Sequence, residues 1–397
     1  MMKIKLKLTM FLLLVSVFPG TAQKKFSIDG YVKFMQTATF QDIDSLWFTD
    51  NLIHNRFDVA WYPTDWLNAH VSVRNRMFYG EMVTFSQPPF NALLGGAAWD
   101  YIGETDKDRG FVDMSWNFLE SDSYFFNTNI DRAYITIQQG KWDITAGRHR
   151  INWGQTMVWN PNDLFNAYSY FDFDYEEKPG SDAVRAQYYI DYASRIEVAA
   201  AVNRDTNYTA AALYQFNKFR YDIQVLAGLY QSDDVVAGLG WSGNLWNAGF
   251  RGEVSYFRPT EHFTDSSGVL TASVGADYSF PNSLFVQAEV LFNSAADKDY
   301  DFNLAQYYNQ NINAKNLSLT RWTGFASVRY PVTPLINLGF SAMYSPQDNF
   351  TYLGPSATFS LSQDFTVDLN IQSFFSDNPD DEGGKGTYAF LRGKWSF

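Results

Sequence analysis

The side chains best suited to chemistry lie between Arg132 and Glu176. Arg132 sits in the run IDRAYITIQQ, and Arg148, His149 and Arg150 follow a Gly140-Lys141-Trp142 turn. Asp172, Asp174 and Glu176 then alternate within YFDFDYEEKPG, which puts three carboxylates on one side of an extended backbone. Three chemistries fit these types. Carboxylates can pair with arginines in an enclosed space, several oxygens can hold a hard cation, or a histidine can act as a base among acids. The cation site lacks the glycine-spaced acidic loop that calcium binding favours, so no metal is assigned. The enzyme option rests on His149 alone, because His54, His70 and His262 are the only other histidines. No phosphate-binding loop, zinc spacing or basic nucleic-acid patch is present, so the reading is a non-enzyme with no cofactor and no nucleic-acid partner. Pairing is the chemistry these residues favour. It makes 152–182 an infolded loop whose acids meet Arg132, Arg148, Arg150 and Arg185.

Such a loop needs a wall, and the rest of the chain supplies strand-like runs. Ser27 to Thr37, Leu52 to Tyr62 and Asn68 to Phe78 alternate apolar and polar residues with a period of two. Runs resume near 183–190, 195–203, 208–216, 219–230, 234–242 and 246–257. Further ones follow near 268–280, 284–294, 319–330, 335–345, 350–361, 365–376 and 386–397. One set of connections is short (191–193, 242–244, 281–283, 332–334, 363–364). The other is longer and more polar, notably 258–267, 295–318 and 377–385. Residues 81–127 form a long excursion that could carry a small hairpin of its own. No helical periodicity intervenes and no fixed-period repeat appears.

Composition narrows the class. Aromatics reach 18% of 397 residues, with 25 Tyr, 35 Phe and 12 Trp, and there is no cysteine. Mean hydropathy is nevertheless negative. Aromatic abundance without any long apolar run suits a transmembrane β-barrel, where rings mark both interfaces and every second residue faces water. Residues 1–22 read as a signal peptide: Lys3, Lys5 and Lys7, an apolar run from Met10 to Phe18, then Gly20-Thr21-Ala22. Residues 23–397 would be the barrel. The final run, TYAFLRGKWSF, ends on Phe397, which resembles the terminal signal read by the outer-membrane assembly machinery. The expected fold is all-β: a transmembrane antiparallel β-barrel of 16–18 strands, best counted as 18. Short periplasmic turns and long extracellular loops would connect them, in the outer membrane of a Gram-negative cell.

Parity then sorts the wall, because charge facing lipid is costly. Lys33, Arg56, Arg74, Arg76, Arg132, Arg185, Arg195, Arg220, Arg251, Arg321, Arg329, Arg392 and Lys394 fall on the inner face. Against them stand Asp58, Glu197, Asp222, Glu253, Glu289 and Asp368. Of these, Arg56, Arg74, Arg76, Arg132, Arg185, Arg195, Arg251 and Arg329 are the expected pore lining. Arg148, Arg150, Asp172, Asp174 and Glu176 are the expected constriction. The net charge is −13, so an inner face rich in cations implies acidic loops. Two readings stay open: a basic pore favouring anions, or wall cations neutralised by wall carboxylates and by the infolded loop. Arg148 and Arg150 share parity with the lipid-facing Ile144 and Ala146, so a β-bulge at Gly147 is expected to turn them inward.

Asp131-Arg132-Ala133-Tyr134, the Gly-Lys-Trp turn, and Gly147-Arg148-His149-Arg150 leading to Asn152-Trp153-Gly154 resemble a segment of porin-like outer-membrane barrels. That resemblance includes alginate-export-type and related uncharacterised barrels. It implies a channel fold and an outer-membrane setting, with outer-membrane lipid and lipopolysaccharide as neighbours. The expected function is a porin-like channel for passive passage of small polar or anionic solutes, with a basic lumen constricted by loop 152–182. The alternative is a non-conducting accessory barrel whose acidic loops bind a partner protein or surface glycan. A homo-oligomer or a lipoprotein partner is left open.

Overall fold

A computed structural model describes residues 25–86, 101–261, 263–296, 312–347, 349–376 and 385–397. The expected signal peptide, 1–22, lies outside the described residues. Nineteen strands form one sheet: β1 (Phe26–Phe40), β2 (Phe48–Thr64), β3 (Leu67–Gly80), β4 (Ser115–Ser121), β5 (Tyr124–Gln139), β6 (Trp142–His149), β7 (Ser181–Tyr189), β8 (Arg195–Val202), β9 (Tyr208–Lys218) and β10 (Tyr221–Tyr230). They continue as β11 (Asp234–Leu245), β12 (Ala248–Pro259), β13 (Val269–Ser279), β14 (Phe285–Asn293), β15 (Trp322–Thr333), β16 (Ile336–Ser345), β17 (Phe350–Ser360), β18 (Phe365–Phe375) and β19 (Lys385–Ser396). Two short helices, α1 (Glu81–Phe85) and α2 (Tyr101–Asp106), lie between β3 and β4.

Every pairing is antiparallel, and β1 pairs with both β2 and β19, so the sheet closes. Phe397 completes the seam: its N–H and C=O exchange bonds with Gly30 at 2.9 and 3.0 Å. Closure removes the free edges that would otherwise pair with other chains. β4 is not a stave. It pairs only with the upper part of β5, on the edge that β6 occupies lower down, so the wall has eighteen staves. The predicted runs match these staves, and the hairpin suspected in 81–127 is the β4–β5 turn. One short turn lies elsewhere than expected: 242–244 is still strand, and the chain reverses at Trp246, a bulky residue with φ of 54°.

Outside, the sheet carries an aliphatic band, including Val32, Ile53, Val71, Val184, Val225 and Val290, all exposed. Trp61, Trp66, Trp142 and Trp395 rim one end and Trp47, Trp116, Trp322 and Tyr344 the other. An apolar surface that continuous is a lipid contact. No described helix is long and apolar enough to cross a membrane; strands do the crossing.

The inner face departs from the expected polar lining. In its extracellular half it is apolar, through Leu213, Leu226, Val236, Phe257, Leu291, Phe325, Met343, Tyr352 and Phe374, all buried. Polar and charged residues dominate lower down.

The expected bulge is displaced. β6 keeps unbroken register with β5 and β7 through Gly147, although Gly147 has φ of 115°. The extra residue is Asp131 in β5, between Ile130 opposite Val73 and Arg132 opposite Ser72. Asp131 and Arg132 are both buried as a result. At Gly147 a Cβ would collide with the Ala133 carbonyl oxygen, and its φ disfavours any L side chain. Gly147→Ala is therefore expected to cut the yield of folded, heat-modifiable barrel several-fold on gel electrophoresis; a normal yield would show that the β5–β6 spacing is slack.

Candidate functional site

The chain leaves the wall after His149, runs through the interior, and rejoins it at Ser181. Its outbound limb, 151–166, is held through its backbone. Glu253 of β12 accepts the N–H groups of Gln155, Thr156 (2.7 Å) and Asn162 (2.8 Å) and the Thr156 hydroxyl. Glu289 of β14 accepts those of Met157 and Val158 (3.1 Å each) and Trp159 (2.9 Å), and also the Ser273 hydroxyl. A loop in a barrel interior has no strand partner for its N–H groups, and these wall carboxylates provide one. Trp153 Nε1 donates to Glu197 at 2.7 Å, and Gln224 Nε2 donates to the Trp153 carbonyl. Ile151, Trp153 and Leu164 pack on Leu213, Leu226, Val236 and Phe257, while Val158 and Trp159 pack on Leu291, Phe325 and Met343. Burying each such side chain contributes about 1.5–3 kcal/mol. The apolar inner half of the wall is the loop's counter-surface.

At Asn166 the limb turns back, tied to Ser181 at the head of β7. Four residues later the Tyr170 ring meets Phe325 of β15 and Tyr352 of β17, on the far side of the barrel. Residues 167–170 therefore span the lumen as a strap. The Tyr168 ring on this strap has Lys178 at 4.4 Å and Arg150 at 5.6 Å.

The return limb, 171–178, is held mainly by side chains. Asp174 accepts from Lys33 at 2.8 Å and lies 3.3 Å from His54 Nδ1; Lys33 and His54 are wholly buried. Glu176 pairs with Arg392 and Lys394 at 2.9 and 2.7 Å. The Tyr175 ring lies under Arg74 at 3.9 Å, its hydroxyl donates to Asp131, and Arg132 donates to the carbonyls of Glu177 and Lys178. Phe173 packs on Phe390. Burial opposes ionisation of Asp174, but the bond from His54 and the charge on Lys33 outweigh it and hold its carboxyl far below the usual range. Glu176 is likewise lowered, against burial, by Lys394 and Arg392.

Two further pieces fold inward. α1 places Val83, wholly buried, against Leu52, Phe78 and Phe125, with Tyr101 and Ile102 of α2 beside them. Residues 312–320 cover the outbound limb: Ala314 joins its apolar cluster and Lys315 pairs with Asp234 at 2.6 Å.

The expected pore-lining arginines do face inward, and most are paired. Arg56 binds Asp131 (2.6 Å) and Asp58 (2.9 Å); Arg132 also reaches Asp131. Arg185 pairs with Asp143, Arg195 lies 3.7 Å from Glu197, and Arg251 pairs with Asp277. Arg74 comes only within 3.9 Å of Asp131. Arg76 bonds to Asn127 and to the Thr105 carbonyl, and Arg329 stacks on Phe285. Arg76, Arg150 and Arg329 form no ion pair among the described residues.

Arg148 does not join the constriction. It keeps the parity of Ala146, opposite to the inward Thr145 and His149, and lies in register with Asp182. Its charge is enclosed by Asp108 (2.6 Å), Asp182 (2.7 Å) and the Val112 carbonyl, so the segment before β4, rather than a bulge, shields it from lipid. Arg220, also expected inside, sits in the exposed β9–β10 turn. Sequence reasoning places Glu197, Glu253 and Glu289 inside only as countercharges. It misses their role as loop anchors, although a glutamate on an inner face without a cation two residues away, as at 289, hints at it.

Asp163 is wholly buried and neither of its carboxylate oxygens has a well-formed hydrogen bond. Burial pushes its carboxyl up to about 7, with Arg150 opposing the rise and Glu253 adding to it. An acid raised on folding binds a proton that the unfolded chain has released, so its contribution falls as pH rises from the ordinary value near 4 toward 7. Hydrogen exchange across 151–166 is accordingly expected to speed up from pH 5 to 8 beyond its intrinsic pH dependence. Asp163→Asn should reduce that excess; an unchanged slope would remove Asp163 as a source of it.

An eighteen-stave closed antiparallel barrel with a lipid-facing band, aromatic rims and an inward loop has the architecture of porin-like outer-membrane β-barrels. No family model and no curated protein matches the chain. Solved structures do share its fold. The outer membrane protein OprD from Pseudomonas aeruginosa aligns with a TM-score of 0.59 at 8% identity, covering 94% of this chain and 93% of that one. OccAB1 from Acinetobacter baumannii gives 0.56 at 6% identity, covering 94% and 97%. OccK11 (OpdR) from P. aeruginosa gives 0.55 at 7%, covering 94% and 97%. At such identities the likeness is one of fold. The finer resemblance to alginate-export-type barrels rests on the sequence motif alone.

Proposed function

We propose that the chain is an outer-membrane channel for small polar solutes, with loop 152–182 as its constriction. The observation that carries this is water access at the level of the loop. Asp172 and Glu176 are exposed inside the barrel, while Lys33 behind them is wholly buried. An aqueous path therefore reaches the loop surface, and the loop separates that path from the wall cations. The anionic half of the expected solute range would need free wall cations, and pairing leaves few. Neutralisation is the better account of the inner arginines, and polar solutes are favoured over anions as a class.

Planar-bilayer recording tests this. The purified barrel is expected to give stepwise currents with a reversal potential near zero in a salt gradient. Strong anion selectivity would show that the paired cations still govern passage. The alternative, an accessory barrel with a closed interior whose acidic loops bind a partner, draws on the apolar clusters that fill the extracellular half. Silence from the intact chain, with currents after deletion of 152–180, would favour it. Silence from both would sink the channel.

A further inference from the structure

We propose that Asn162 is the positioning residue of the constriction. It indexes the outbound limb to the wall through a slot floored by two glycines, leaving the return limb as the part that moves. This rests on the channel reading for its purpose, though not for its geometry.

The slot is built by three adjacent staves. Gly238 of β11 lies in register with Leu226 of β10 and Ser255 of β12, and Gly240 lies with Gln224 and Glu253. The flanking strands project full side chains inward, whereas β11 projects none at these two positions. Asn162, wholly buried, fills the gap. A Cβ on Gly238 would stand 2.7 Å from Asn162 Oδ1 and 2.8 Å from Ser255 Oγ; one on Gly240 would stand 2.9 Å from Asn162 Nδ2 and 2.8 Å from Gln224. Neither glycine has a positive φ, so both are there for space rather than for backbone conformation. The walls of the slot hold what enters it. Ser255 Oγ donates to Asn162 Oδ1 at 2.8 Å, Glu253 accepts the Asn162 N–H at 2.8 Å, and Gln224 holds the Trp153 carbonyl alongside.

The two limbs therefore differ in how they are tied. The outbound limb is fixed by backbone bonds to buried carboxylates, an apolar cluster and a shape key. The return limb has no such key: some of its ties are buried, as in Lys33 with Asp174 and Phe171 in its ring cluster, but others are water-exposed ion pairs such as Lys394 with Glu176, at 20% and 37% side-chain exposure. Exposed ties weaken with salt and exchange readily with water. Opening then belongs to residues 167–178.

The chain has no cysteine, so single thiols report on each limb without background. Leu164→Cys marks the outbound limb and Phe171→Cys the return limb, and maleimide labelling is timed on the folded barrel. The thiol at position 171 is expected to label at least tenfold faster than the thiol at position 164. Gly238→Ala and Asn162→Ala, each added to Leu164→Cys, should speed labelling at 164 several-fold. Combining the two should fall short of the sum of the single effects, because without Asn162 a Cβ at 238 keeps only its crowding of Ser255 and Leu226. Heat-modifiable migration confirms the barrel in every variant. Faster labelling at 164 than at 171, or additive effects of the two substitutions, would overturn the proposal. Bilayer currents on the same proteins separate the two ideas: the labelling pattern without any current keeps the key and rejects the channel.

Discussion

Replacing Glu253 and Glu289 together with glutamine is expected to raise single-channel conductance several-fold and to leave the eighteen staves assembled. Each carboxylate accepts three backbone N–H groups and a hydroxyl from its surroundings. A hydrogen bond contributes about 0.5–1.5 kcal/mol net, and a buried donor left without an acceptor costs about 1–3 kcal/mol. A glutamine presents its amide NH₂ to donors on one side, so at least one N–H per site loses its acceptor. The expected loss in seating of the outbound limb is of the order of 2–4 kcal/mol per site, enough to unseat it. The backbone ladder of the wall is spared, because the only strand-to-strand bond to either side chain is that from the Ser273 hydroxyl to Glu289. A variant with normal assembly and unchanged conductance would mean that the limb does not restrict passage.

The second large effect is expected at Asp174. Lys33 is wholly buried and its ammonium bonds to the Asp174 carboxylate and to the Asp174 carbonyl, at 2.8 and 2.7 Å. Asp174→Leu leaves that ammonium without its countercharge, which by the usual behaviour of broken buried pairs costs about 3–5 kcal/mol. Lys33→Met with Asp174→Leu should recover most of the loss, since an apolar pair of similar volume is often neutral or better than a buried ion pair. Urea denaturation of the folded barrel in detergent reads both. The single variant should fall well below the parent and the double should return near it. A double variant as weak as the single would show that Asp174 matters through His54 rather than through Lys33. Because the Asp174 carboxyl is held far below the usual range, its contribution is present above about pH 4 and is lost only as acid approaches its lowered value.

The staves are legible in the sequence because a barrel wall that meets lipid on one side must alternate. The predicted run 284–294 and the observed β14, Phe285–Asn293, differ by one residue at each end. Alternation fails to show where it is absent in the structure. In β9 and β10 the inward Leu213 and Leu226 are as apolar as their lipid-facing neighbours Tyr214 and Val225, because the interior there is filled by the loop. A run apolar on both parities at its extracellular end is the available signal of an inner packing partner. Arg148 escapes sequence reasoning for a related reason. Parity correctly aims it outward, but the partners that make this tolerable, Asp108 and Val112, come from an excursion whose docking no local pattern announces. Of the loop acids, Asp174 and Glu176 pair with Lys33, Arg392 and Lys394 rather than with the expected Arg132, Arg148, Arg150 and Arg185, and Asp172 forms no ion pair among the described residues.

The staves are also of unequal length. β1, β2, β3 and β5 have 14 to 17 residues, whereas β6, β7 and β8 have 8, 9 and 8. At about 3.3 Å per residue and a tilt near 40°, eight residues rise only about 20 Å, short of the roughly 25 Å apolar band of such barrels. Lipids against that sector must shorten or tilt to match it, while those against β1–β5 need not. The barrel would thus impose a thinned patch of bilayer beside the point where the loop enters, where three consecutive staves are short, and would orient its lipid neighbours and any companion protein accordingly.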